Sequence, residues 1–233
     1  MRSKQSIVID KISNRLKDQS NVIGIILFGS FANGTNHNYS DIDLFAIGHN
    51  ENHRTECFNQ DGVQIQIIWR SPDIFKEKIM KRTRTYPISK SCKILYDKTG
   101  EIDEFVNLSV IKSEEGPLKL STQERLIRVA DLSIEFDTIK GIIEKGDIAS
   151  GILLINDLVM TGIDLYYDLK GAFLVSPKKQ LSDLKLKYPE LGLLAESIIL
   201  ENSINEKVNK LKIFREIILK EAGGEIDQYE LVW

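Results

Sequence analysis

Cysteine is nearly missing from this chain: Cys57 and Cys92 are the only two in 233 residues, and no Cys-x-x-Cys pair occurs. Thiols so placed build neither a disulfide framework nor a zinc cluster, and they suit a reducing, cytoplasmic setting. No run of 18 apolar residues occurs, so no membrane-spanning segment is expected. The first residues also lack the continuous apolar stretch of a signal peptide. Instead Ile9, Ile12 and Leu16 recur at helical spacing among charged residues. A basic excess is missing too, with 31 Lys and Arg against 34 Asp and Glu and a net charge of −3. Proteins that grip long nucleic acid neutralise its phosphates with such an excess, so a long polymer is not the expected partner. No internal repeat or low-complexity segment is seen.

What remains is an ordinary globular composition, 42% hydrophobic and 28% charged, rich enough to build a core. The first half mixes helix and strand signals. A helix is expected near residues 3–18. Val22–Phe28 is an apolar run rich in β-branched residues, and Asp41–Ile47 and Val63–Trp69 are further strand candidates. In the last of these, Val63, Ile65 and Ile67 alternate with Gln64 and Gln66. Ser71-Pro72 opens a helix near 72–82, and Lys93–Asp97 is a fourth strand candidate.

From about Leu118 the periodicity is helical almost throughout. Ser121 and Glu124 form a capping box, followed by Leu126, Val129, Ala130, Ser133 and Phe136 at helical spacing. Asp147 caps a helix reaching Leu169, Ser176-Pro177 opens another, and residues 204–221 make a last one. Four such helices read as a bundle. The expected fold is α+β: an N-terminal α/β domain with a mixed sheet over residues 1–115, then an all-α helical bundle over 116–233.

The chemistry concentrates in LFGSFANGTNHNYSDIDLFAI, residues 27–47. A buried strand runs straight into Gly29-Ser30 and a short helical turn. Glycine lets a backbone approach closely, unpaired N–H groups at a helix start attract an anion, and the Ser30 hydroxyl adds a donor. Asp41 and Asp43 follow at i and i+2, so on a strand they project from one face. Two adjacent carboxylates repel unless a cation neutralises them. Mg²⁺ prefers such hard oxygens and shares its shell with substrate phosphates. A phosphate turn beside paired carboxylates points to a metal-bound nucleotide.

These residues resemble the nucleotidyltransferase superfamily of the DNA polymerase β type, whose signature is an apolar strand, Gly-Ser, about ten variable residues, then Asp-apolar-Asp-apolar. Here Phe28-Gly29-Ser30, Ala32-Asn33-Gly34 and Ser40-Asp41-Ile42-Asp43-Leu44 supply it. The helical half, including residues 169–181, resembles more loosely the small bacterial antibiotic nucleotidyltransferases. The resemblance implies two-metal phosphoryl transfer from an NTP to a hydroxyl of a small, antibiotic-like molecule. Asp41 and Asp43 would hold Mg²⁺ as the catalytic residues, and Gly29 and Ser30 would bind the triphosphate.

The family carries a third carboxylate on a later strand. Counting back from Ser71-Pro72, that position is Gln66, with Gln64 the other same-face option. An amide coordinates a cation but brings no negative charge and no base. Asp61, Asp73 or an acid of the helical domain are alternative sources. The departure supports a second reading, a nucleotide-binding or antitoxin-like partner-binding module with weakened or lost transfer. Transfer of a nucleotide to a protein tyrosine or serine is a third. Elsewhere, Lys178 in the first turn of a helix is a candidate nucleotide contact, because that position normally favours acids. The basic run Lys81-Arg82-Thr83-Arg84 reads as a solvated helix end, with a triphosphate clamp as the alternative. His49 and His53 read as surface loop residues, and Tyr166 and Tyr167 as packing residues.

Overall fold

A computed structural model of the protein describes residues 3–49, 53–82, 88 and 92–226. The chain divides into two compact units, Met1–Gly116 and Pro117–Trp233.

The first unit runs α1 (Lys4–Lys17), β1 (Val22–Phe28), α2 (Gly29–Asn33), β2 (Ile42–Gly48), β3 (Arg54–Gln60), β4 (Val63–Arg70), α3 (Pro72–Met80), β5 (Lys93–Asp97) and α4 (Glu101–Glu114). The strands form one mixed sheet in the order β3-β4-β2-β1-β5. Among the described residues, only β2 and β4 pair in parallel; the other neighbours are antiparallel. Helix α1 begins where Ser3 accepts from the Ser6 N–H at 3.1 Å, a side-chain N-cap. It buries Val8, Ile12 and Leu16 against one sheet face, where Ile25, Leu27, Ile42, Leu44, Ile65 and Ile67 meet them. The apolar stripe thus centres on Val8 rather than Ile9, which is half-buried.

On the other face, α3 and α4 bring Phe75, Ile102 and Phe105 onto Ile23, Ile26 and Ile47. The approach of α4 is close enough that a β-carbon on Gly24 would overlap the Ile102 side chain. This second core covers the start of β1 and the end of β2. The end of β1 and the start of β2 lie beyond it. A file of aromatic rings, Phe28–Phe45–Phe75–Phe105, with centroids 4.5, 5.3 and 5.8 Å apart, leads from that core toward the far end of β1.

Strand β3 occupies a segment whose polarity reads as loop. Its pairing with β4 is fixed by Asp61 and Gly62, both at positive φ (54° and 73°). A two-residue turn of that kind matches the natural twist of a hairpin.

Among the described residues, the second unit holds five helices: α5 (Thr122–Glu144), α6 (Ile148–Leu169), α7 (Pro177–Lys187), α8 (Pro189–Leu200) and α9 (Ile204–Ala222). The capping box at Ser121 and Glu124 is formed, and Asp147 accepts from the Ser150 N–H at 3.1 Å. Helix α8 adds a fifth element to the expected four. Its last carbonyls, Ile198 and Ile199, accept from the buried Lys207 ammonium at 2.7 and 3.2 Å. By length and composition α6 is apolar enough to cross a bilayer. Here its Ile155, Leu158, Val159, Ile163 and Tyr167 form the unit's core. Tyr166 and Tyr167 pack edge-on against Tyr188.

Candidate functional site

β1 ends at Phe28 and turns at once into α2 through Gly29, whose φ is +71°. Glycine reaches that left-handed conformation without steric penalty. It is needed there for a second reason. A β-carbon on Gly29 would overlap Asp43 Oδ2 and lie 3.1 Å from Asp43 Cγ. The Asp43 carboxylate therefore occupies the space a side chain would take, lying directly against the turn. Ser30, the next residue, is 4% exposed, and its Oγ has no hydrogen-bond partner among the described residues. Buried hydroxyls are normally paired, and leaving one unpaired costs about 1–3 kcal/mol. The turn thus holds one donor whose capacity is unused. Gly34 closes α2 at φ +72° with open space around it, the role of a turn glycine.

Asp43 lies on β2, and Asp41 immediately precedes that strand. Ser40, Ile42 and Leu44 are buried, whereas Asp41, Asp43 and Phe45 between them are half-buried. That alternation puts both carboxylates on one side of the chain, away from the α1 core. Antiparallel pairing sets Phe28 opposite Asp43, and parallel pairing sets Gln66 beside Asp43. The antiparallel β3 then sets Cys57 beside Gln66, with Gln66 Nε2 3.9 Å from Cys57 Sγ. One line crosses four strands on one face: Phe28, Asp43, Gln66, Cys57. The strand with the missing carboxylate is thus the immediate neighbour of Asp43.

Two alternative acids of this unit lie elsewhere. Asp61 turns toward α1, where Lys11 Nζ donates to its Oδ2 at 3.2 Å, on the layer opposite Asp43. Asp73 is exposed in the first turn of α3. Four residues of β4 separate Gln66 from the strand end that precedes it, roughly 13 Å of extended chain. Among the described residues, no three His, Cys, Asp or Glu side chains are grouped to hold a metal ion. The available donors are the carboxylate oxygens of Asp41 and Asp43 and the amide oxygen of Gln66. They are all hard oxygens, a set that suits one Mg²⁺ sharing its shell with a phosphate. They do not supply the extra carboxylate a second ion needs.

The remaining candidates fall elsewhere. Lys178 is exposed in the first turn of α7, in the second unit, whereas the other five belong to the first. Lys81 pairs with Glu77. Arg82 donates to the Glu115 and Gly116 carbonyls at 3.2 and 3.4 Å, so it closes the end of α4. Thr83 and Arg84 lie outside the described residues. His49 and His53 are both exposed. Sequence reasoning did not find Cys57, because β3 itself was not read. The signal was present in Asp61-Gly62, the residue pair that most strongly marks a two-residue hairpin turn.

Residues 10–101 match the family model for polymerase beta, nucleotidyltransferase. The N-terminal unit is a nucleotidyltransferase domain of that superfamily. No curated protein matches the chain. Among solved structures, it is similar to a nucleotidyltransferase-like protein from Exiguobacterium sibiricum, with 12% identity and a TM-score of 0.49 over 95% of this chain and 77% of that one. It is also similar to a spectinomycin adenyltransferase from Enterococcus faecialis solved with ATP and spectinomycin, at 12% identity, TM-score 0.31, and 93% and 99% coverage. A toxin–antitoxin complex solved with AMP-PNP matches 46% of this chain and 86% of its own, at 16% identity and TM-score 0.29.

Proposed function

We propose that this protein binds a magnesium-bound nucleoside triphosphate and transfers its nucleoside monophosphate to a hydroxyl of a small molecule. The observation that carries the binding half is the fit of the Asp43 carboxylate against Gly29, which joins the phosphate turn to the metal-ligand strand. Asp41 and Asp43 would hold the ion, and Gly29 and Ser30 would receive the triphosphate. When bound, the ion neutralises charge on the phosphates and orients them. The chain does the rest by position. Ser30 Oγ donates to a phosphate oxygen, the Gly29 backbone leaves room for that approach, and the Phe28–Phe45 rings keep one wall of the site dry. Gln66 faces the acceptor side, where its amide orients a hydroxyl through hydrogen bonds but accepts no proton from it.

Transfer through this site is therefore slow, because general-base assistance contributes about 10²–10⁴-fold elsewhere. Pyrophosphate release with Mg²⁺, each NTP and a panel of hydroxylated acceptors measures it. The expected result is low Mg²⁺-dependent release that rises at least about tenfold in Q66E or Q66D. The position of Gln66 beside Asp43 favours one other reading, a nucleotide-binding or antitoxin-like module that docks on a protein partner. Tight Mg-NTP binding with no pyrophosphate release from any acceptor decides for that module and against transfer.

A further inference from the structure

The loop from Gly34 to Asp41 joins the two halves of the site, since α2 carries the phosphate turn, β2 carries Asp43, and Asp41 ends the loop just before β2. Tyr39 sits on this loop, two residues before Asp41, and is 95% exposed. It is the one aromatic among the large hydrophobic side chains exposed in the described residues; the others are Ile, Leu, Val and Met. Single exposed aliphatics are common and need no explanation. A tyrosine ring offers far more contact area, and tyrosine is enriched at binding interfaces because it presents an apolar ring with a polar tip.

The loop that carries the ring is tied down. Ser40 is 8% exposed, its Oγ accepts from the His37 N–H at 2.9 Å, and its own N–H donates to the His37 carbonyl at 3.0 Å. The Tyr39 N–H donates to His37 Nδ1 at 3.1 Å. The His37 ring stays 6.4 Å from the Tyr39 ring, centroid to centroid, so it does not stack on it. Backbone order is thus combined with an uncovered π face. A segment held this way loses little conformational freedom when a flat group lands on the ring.

We infer that Tyr39 is the stacking platform for the base of the nucleotide held at Asp41 and Asp43. The inference rests on the nucleotide-binding reading above. It assigns Tyr39 a positioning role: the ring holds the nucleoside end while the turn and the carboxylates hold the phosphates. Base–aromatic stacking is tolerant of base identity, because every base has a π face.

Calorimetry with Mg-ATP and with Mg-tripolyphosphate, which has the phosphates but no base, tests this on the full chain. In Y39A, Mg-ATP affinity is expected to fall roughly five- to a hundredfold while Mg-tripolyphosphate affinity holds. In Y39F, which restores the ring without the hydroxyl, Mg-ATP affinity returns. Equal Mg-ATP affinity in Y39A and the parent overturns the proposal, as does an equal loss for both probes or a loss in Y39F matching that in Y39A. In all three cases a parent that still binds Mg-tripolyphosphate leaves the phosphate site standing. A parent that binds neither probe overturns both readings.

Discussion

At the scale of single residues, the site depends on a contact between positions 14 apart in sequence. Gly29 must be glycine both for its backbone and for the carboxylate lying against it. In G29A the left-handed backbone costs about 1–2 kcal/mol, and the β-carbon displaces Asp43. Chemical denaturation of G29A, D43A and the double variant separates the two effects. The expected outcome is non-additivity: the double variant is more stable than the sum of the single losses predicts, because D43A removes the overlap. Strict additivity would contradict the packing described. The Gly-Ser turn and the i and i+2 aspartates could be read from local spacing, and the Gln66 position, with Gln64 as the other option, from the family resemblance. The lock between Gly29 and Asp43 could not, since it is set by antiparallel pairing between β1 and β2. The same holds for Asp61, whose ion pair with Lys11 depends on where α1 packs.

At the scale of elements, strong local signals were legible and weak ones were not. Apolar β1 and β4, the Pro-started α3 and the capped α5, α6 and α9 all announce themselves. β3 is an edge strand with largely polar residues, so its partner rather than its own pattern makes it a strand. Helix α8 follows α7 at Pro189 without a loop, so the two periodic patterns run together. Its C-terminal end is finished by α9. Replacing Lys207 with Met keeps most of the volume but leaves the Ile198 and Ile199 carbonyls without their donor. A loss of about 1–3 kcal/mol in urea unfolding is expected, and an unchanged midpoint would refute the capping role.

The same corner is pH-sensitive. Lys210 donates to Glu201 at 2.6 Å, and the Ser203 and Asn202 N–H groups add to it. These hydrogen bonds hold the Glu201 carboxyl down at about 2, from an ordinary value of 4.5. The unfolded chain therefore binds more protons between those values, and stability falls as pH drops from 4.5 toward 2. The contribution is fully present above that window. E201Q should show a shallower loss over it in denaturation midpoints. An identical slope would show that Glu201 does not contribute.

At the scale of the whole molecule, each unit carries a core of its own, one built on the sheet and the other on helix α6. The change of pattern along the chain reflects this, because β periodicity and glycine turns give way to helical periodicity. The absence of a basic excess belongs to this scale as well. In the proposed reading the phosphates of one nucleotide would be met by a turn and an ion, and that needs no extended positive surface.

The most direct test of the account is the affinity for ATP measured by calorimetry with Mg²⁺ and with EDTA, in the parent and in D43N. Binding is expected to require Mg²⁺ and to weaken in D43N, where the carboxylate becomes a neutral amide at nearly the same volume. Binding that is equally tight without Mg²⁺, or unchanged in D43N, would contradict it.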